Sequence, residues 1–590
     1  MRYLRMLSNS LAAALLASAY VVIVFLQLNP SLPLAPARLG PIAQHISALY
    51  ALHLTALFYA LLVVRQMLAR EPFSPAWLSI RELLWMSAVA ALGGAALMHA
   101  NRQTFAIEIE PTTALALESG SLILAAASAL FVLLSVARSR SADRNRFVWA
   151  TLMLIVAAGS IGGAVASRGR GALVALDARP IDMSIDAGLS SRPARVTVIA
   201  VDAGSLDFIT SATAEGRLPN FGRILDAGAV MRIATVHPTS AETVWAAVAT
   251  GKLPQKNGVR SASAYRANGS SDLIHLLPEY CFAHSLVRFG MLIPEPHSSA
   301  TLRARPLWTI LSSLGASVGI VGWPLTQPAP VVRGFLVSDA LARLAGTASG
   351  IEGSSAVAPP ELEQTALAAL EEPVRAAAAG VVPASIGSEE AVDGFSGRFD
   401  ETGRIDLAYG RVAEALARVQ PPQVTLVRYQ SLDLIGHYFL RYATPGEFGD
   451  VTDDEYRRFG RVLEQHYVVI DHAIGAAMAS LGPDDLLIVV SGYGMEPLGV
   501  ARRIVERAIG DPDVSGTHDR APDGFLLAYG AAAARGRLRT RGSIVDVVPT
   551  VLYFLGVPIG RDMDGYARTD LFQRAFTDDR PITFIPTYDR

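Results

Sequence analysis

Five apolar stretches crowd the first third of the chain, at Leu7–Leu28, Ile46–Met67, Leu83–His99, Ala114–Val136 and Phe147–Ala166. Each is near the roughly 20 residues that a helix needs to cross a bilayer core, the third being the shortest. The whole chain of 590 residues is 51% hydrophobic and 18% charged, with mean hydropathy +0.33, which is too apolar for an ordinary soluble protein and excludes disorder as its dominant state. Arg2 and Arg5 precede the first stretch, but no small-residue cleavage site follows it, so it reads as an anchor and not as a removed signal.

Arginines set the orientation. Arg2 and Arg5 lie before the first span, Arg65, Arg70 and Arg81 around the second loop, and Arg138, Arg140, Arg144 and Arg146 in the fourth, while the alternate loops offer only Arg38 and Arg102. An odd number of spans starting from an inside N-terminus places everything after the fifth outside the cytoplasm. In a bacterium this would be an inner-membrane, multi-pass protein with a periplasmic C-terminal domain.

The expected division is a transmembrane region at 1–167, a Gly-, Arg- and Pro-containing linker at 168–194, and an extracytoplasmic domain at 195–590. In that domain short β-branched runs, Val196–Val201, Val424–Tyr429, Leu486–Ser491 and Phe525–Tyr529, alternate with helical patterns. This argues for an α/β fold, a mostly parallel sheet covered by helices. A surface insertion is expected at about 260–420, where the Ala-, Gly-, Ser- and Pro-rich stretch 340–398 carries a helix at Pro360–Ala379. Fifty-one basic and 53 acidic side chains nearly cancel, so nothing points to nucleic acid. Cys281 stands alone, which excludes an intramolecular disulfide and every Cys-rich metal framework.

Val196–Val201 delivers Asp202 at a strand's carboxyl end, where open α/β sheets collect their ligands. GRLPNFGRILDAGAV (Gly216–Val230) then reads as a helix with Pro219 in its first turn and Gly228 at its stop. Further along come PTSAETVWAAVATGKLPQKNGV, SLGASVGIVGWPLTQP with FLVSD, SLDLIGHYF, LIVVSGYG, SGTHDRAPDGFLLAYG and SIVDVVPTVLYFLGVPIGRDMDG. In this order, over about Arg195–Phe572, the chain resembles the alkaline phosphatase superfamily, in its type I phosphodiesterase/nucleotide pyrophosphatase branch. The resemblance implies a fold in which two zinc ions activate a Ser or Thr nucleophile and hold a phosphoryl group. Two such ions stabilise the attacking and leaving oxygens of an in-line displacement.

By that resemblance Asp433, His437 and His518 form one zinc site, a ligand set zinc accepts without sulfur. Asp202 keeps one position of the other site, but the family's Asp-His pair falls on Gly492 and Tyr493 and its nucleophile on Ala241. A methyl group cannot attack phosphorus. Ser240 is the neighbouring hydroxyl that a small shift would make the nucleophile, with Thr239 and Thr243 beside it. The competing reading is a capping box from Thr239 to Glu242 with Ser240 in the first turn. Trp323, Pro324, Ser338 and Asp339 match a scaffold segment of the family, with Trp323 a candidate for the pocket wall.

The sequence therefore leads to a membrane-anchored phosphodiesterase-like protein that handles extracytoplasmic phosphoesters, its partners being the bilayer and a phosphorylated small molecule or lipid headgroup. With the nucleophile and half of the second zinc site altered, hydrolysis is expected to be weak or absent, with one zinc retained. The alternatives are a pseudoenzyme that binds a phosphorylated ligand or a membrane partner, and, by architecture, an enzyme resembling the phosphoethanolamine transferases. A transporter fits less well, because the spans hold few ionisable residues apart from Glu118.

Overall fold

The structure, a computed structural model, describes residues 1–68, 75–141, 145–169, 194–345, 355–378, 397–509, 511–538 and 540–589. Most of the 168–194 linker, part of the 340–398 stretch, and Arg70 and Arg144 lie outside these residues. The chain clusters into two units, Met1–Leu176 with Arg260–Pro296, and Asp177–Val259 with His297–Arg590.

The first unit holds helices α1 (Arg2–Leu28), α2 (Pro36–Leu68), α3 (Ile80–Thr104), α4 (Pro111–Arg140) and α5 (Arg146–Ala166), each long and apolar enough to cross a membrane. They overrun the apolar stretches because flanking polar residues continue the turns. The third stretch, only 17 residues by hydropathy, belongs to a helix of 25. Glu118 pairs with Arg102 at 3.1 Å.

Arg260–Pro296, which the expected bounds count with the extracytoplasmic domain, clusters with these helices and forms a three-stranded antiparallel sheet. Its apolar side chains explain why. Tyr265, Ile274, Leu277, Leu286 and Leu292 share a buried cluster with Val21, Phe25, Ile42, Ile46 and Tyr50. Two helix-end asparagines stitch the backbone in place. Asn29 accepts from the His275 and Leu276 amides at 2.8 and 2.9 Å and donates to the Leu276 carbonyl, while Asn101 accepts from the Glu279 amide at 2.8 Å.

The second unit is built on a ten-stranded sheet. Its strands are β1 (Val196–Val201), β2 (Ala229–Ala234), β3 (Val318–Trp323), β4 (Gly334–Ser338), β5 (Val357–Ala358), β6 (Val424–Tyr429), β7 (Leu486–Tyr493), β8 (Asp523–Tyr529), β9 (Gly536–Arg537) and β10 (Gly542–Ser543). The order is β9-β2-β8-β7-β1-β6-β3-β4-β5, with β10 also paired to β2. The central run β7-β1-β6-β3-β4 is parallel, while β8 runs antiparallel to both β7 and β2, and β5 antiparallel to β4. Buried on both faces, the central strands read as continuous apolar runs.

The Gly216–Val230 segment is a shorter helix, Pro219–Ala227, followed directly by β2. Gly228 is required by close approach, since a Cβ there would lie 2.4 Å from the Ala528 carbonyl oxygen of β8. The parallel registers pair Val201 with Tyr429 and with Ser491. The next residues, Asp202, Gln430 and Gly492, consequently emerge side by side at one end of the sheet.

Candidate metal centre

Three side chains converge at that end. Asp433 lies in the first turn of helix Ser431–Ala443, which follows β6 directly, and His437 lies one turn later on the same face. His518 follows the short strand Gly516–Thr517. One ligand atom from each of Asp433, His437 and His518 lies within 4.8 Å of the others. His437 Nε2 is 3.9 Å and His518 Nε2 3.6 Å from the Asp433 carboxylate.

Backbone carbonyls fix both rings. His437 Nδ1 bonds the Gly516 oxygen at 2.9 Å and His518 Nδ1 the Thr239 oxygen at 3.1 Å. A carbonyl only accepts, so each Nδ1 carries the proton and each Nε2 turns a lone pair toward Asp433. Burial, the largest influence, holds His518 below its ordinary pKa and so favours the neutral form a metal ligand needs. Asp433 also accepts from the Tyr493 hydroxyl at 3.2 Å. Behind it, Asp406 of helix Gly397–Val419 accepts from the Gln430 and Ser431 amides, at 2.9 Å each, and caps the helix that carries Asp433 and His437. Burial pushes the Asp406 carboxyl up to about 6.

Asp202 stands outside this cluster. Its carboxylate accepts from Arg428 Nε at 2.9 Å, Arg428 Nη2 at 2.5 Å and Trp245 Nε1 at 2.7 Å. Both oxygens, expected on a zinc ion, are committed to a guanidinium and an indole. Burial opposes the charge on Arg428, but Asp202 outweighs it and holds the guanidinium above its ordinary pKa. Glu242 and Asp339 lie within electrostatic reach of Arg428, Asp433 lies within reach of Asp202 and Glu242, and burial raises the carboxyls of Glu242 and Asp339. With this surplus of acidic groups over one arginine, and two imidazole lone pairs turned the same way, the donor set of Asp433, His437 and His518 fits a divalent ion.

The other altered positions are filled. A Cβ on Gly492 would lie 2.2 Å from Val244 Cγ1, so valine occupies the space of any side chain at 492. Tyr493 is fully buried, and burial raises its phenol well above the ordinary value. Ala241 is the first residue of helix Ala241–Thr250. The expected capping box is displaced by one residue: Ser240 is the cap, and it exchanges bonds with Thr243 in place of a Thr239–Glu242 pair. Thr239 instead donates to the Val236 carbonyl at 2.8 Å, because its side chain turns back before the helix begins. The Ser240 hydroxyl is thus engaged in the cap. Trp323 is buried between Trp245 and Trp308, with ring centroids 5.2 and 5.8 Å away, and so forms core rather than pocket wall.

Sequence reasoning missed Arg428, Asp406 and Trp245. The signal for Arg428 was present, since one charged residue interrupts the otherwise buried strand VTLVRY.

The structure thus combines an α/β sheet with an Asp-His-His cluster, a candidate metal site, near one end of its strands. Residues 196–539, more than half the chain, match the family model described as type I phosphodiesterase / nucleotide pyrophosphatase, and the protein belongs to that family. Among solved structures, a multiple mutant of alkaline phosphatase PafA aligns at 13% identity over 65% of this chain and 100% of that chain, with TM-score 0.41. Murine ectonucleotide pyrophosphatase / phosphodiesterase 5, as an inactive variant in complex with AMP, aligns at 13% identity over 64% and 100%, with TM-score 0.36. No curated protein sequence matches the chain.

Proposed function

We propose that this is a membrane-anchored, extracytoplasmic phosphoester-binding member of its family, which holds one zinc on Asp433, His437 and His518 and hydrolyses weakly or not at all. The observation that carries this reading is the Asp202–Arg428 pair, in which an internal cation takes the carboxylate that the family gives to a second ion. Ala241, on which the family's nucleophile position falls by the resemblance, offers no hydroxyl. When bound, zinc supplies a Lewis acid for one phosphoryl oxygen. The chain's own groups supply the rest. His437 and His518 present Nε2, Tyr493 orients Asp433 by hydrogen bonding, and Arg428 holds Asp202 away from the cluster as a neutral pair. The ligand is a phosphorylated small molecule or lipid headgroup, and the arginine pattern of the loops supports a periplasmic site.

Elemental analysis of the full chain purified in detergent is expected to give one zinc, lost in His437→Ala and in His518→Ala. Turnover of an aryl phosphodiester is expected to be near background. Two retained zinc ions, or robust turnover that Ser240→Ala abolishes, would overturn the reading.

A further inference from the structure

A cavity of about 480 Å³ lies between the sheet and the helices Gly397–Val419 and Val462–Ala479. Thr425, Val427 and Tyr429 of β6 form its floor, alternate residues on the strand face opposite Arg428. Its walls are small: Gly410, Ala413 and Ala417 from one helix, Ala473 and Ala477 from the other. Small residues alone indicate only close packing, but here they surround space, and that space contains a polar group. Tyr429 is 5% exposed, and its hydroxyl makes no hydrogen bond among the described residues. It reaches Gly410, where a Cβ would stand 3.2 Å from the phenol oxygen. The rest of the side chain is enclosed, so the hydroxyl is open to a partner only from the cavity, where it can donate to a ligand oxygen in place of water.

The rim does not select for charge. Arg195 pairs with Asp485 at 2.6 Å and Arg418 with Glu414 at 3.6 Å, so each ionic group is already neutralised. The volume lies within the range of small-molecule sites, which combine apolar walls with a few polar groups that fix orientation. We infer that this cavity binds a neutral, largely apolar small molecule whose single polar oxygen accepts a hydrogen bond from Tyr429. Arg428 points to Asp202 and Tyr429 to the opposite face of the strand, so the site stands independently of the phosphoester reading.

Benzophenone, a neutral ketone that inserts into nearby C–H bonds on irradiation, is the probe, used on the full chain in detergent with mass-spectrometric mapping. Saturable label is expected on the segments 410–417 and 473–481. Ala473→Leu, which fills the cavity, should abolish it. Tyr429→Phe should raise the half-saturating concentration roughly three- to tenfold, the loss of one neutral hydrogen bond. Absent label, label scattered along the chain, or label unchanged in Tyr429→Phe would overturn the inference. The phenylalanine variant keeps the shape and decides the matter if Ala473→Leu misfolds.

Discussion

Arg428 grips Asp202 through two hydrogen bonds, Nε to Oδ1 at 2.9 Å and Nη2 to Oδ2 at 2.5 Å, with both side chains inside the protein. The pair brings its own neutrality to the end of β1. Removing one partner leaves an uncompensated buried charge, which costs about 3–5 kcal/mol. Arg428→Met should therefore lower the thermal unfolding midpoint sharply, while Arg428→Met with Asp202→Leu should recover part of the loss, since replacing both ions with apolar groups is often neutral. A double variant no more stable than Arg428→Met would show that the two charges do not depend on each other.

Filled space makes a simple restoration fail. Ala241→Thr with Gly492→Asp and Tyr493→His returns the family's residue types, but Val244 Cγ1 lies 2.2 Å from where the Cβ of residue 492 must go. Forcing both into one place costs roughly 1–3 kcal/mol or more in strain. The triple variant is expected to gain no phosphodiesterase turnover, and any gain should require Val244→Gly as well. Turnover assays on the triple and quadruple variants check this, and full activity in the triple variant would mean that helix Ala241–Thr250 moves aside.

The contrast between Gly492 and Arg428 shows what the sequence carries. The strands and the acid at the end of β1 follow from local patterns of apolar runs, whereas the Asp433, His437, His518 set follows from the family resemblance carried by the ordered landmarks. Gly492 could be registered as a change, but not that Val244 has moved into its place, because that contact joins residues 248 positions apart in different elements. Arg428 in a buried strand had to have a partner, yet the partner's identity depends on the register that sets Val201 beside Tyr429. The placement of Arg260–Pro296 with the helices likewise rests on apolar side chains that join distant stretches of the chain, and on two asparagines whose ordinary reading is a turn or a cap.

Asp406 acts on the metal centre through helix Ser431–Ala443. Its carboxylate holds the amides of Gln430 and Ser431, just before Asp433, so loss of this cap should let the first turn, and with it Asp433, fray. Loss of a helix cap costs about 0.5–2 kcal/mol, roughly two- to thirtyfold in an affinity that depends on that turn. Zinc titration of Asp406→Ala is expected to show a weakening of about that size, while Asp485→Ala, whose carboxylate pairs with Arg195 at the far end of the sheet, should leave zinc affinity unchanged. Equal effects would assign the loss to general destabilisation.

His466, on helix Val462–Ala479, is buried with no hydrogen-bond partner on either ring nitrogen among the described residues. Burial pushes its pKa down to about 4 from the ordinary 6.5. Well above pH 6.5 the ring is neutral whether the chain is folded or not, and it contributes no pH dependence. Between about 4 and 6.5 the unfolded chain takes up a proton that the folded chain refuses, so stability falls as pH falls. The full difference, reached near pH 4, is about 3 kcal/mol by linkage. Thermal unfolding midpoints compared across pH 4.5 to 7.5 for the unmodified protein and His466→Phe should diverge on acidification, with the phenylalanine variant losing less. Parallel curves would mean that His466 is protonated in the folded state or is already shielded when unfolded.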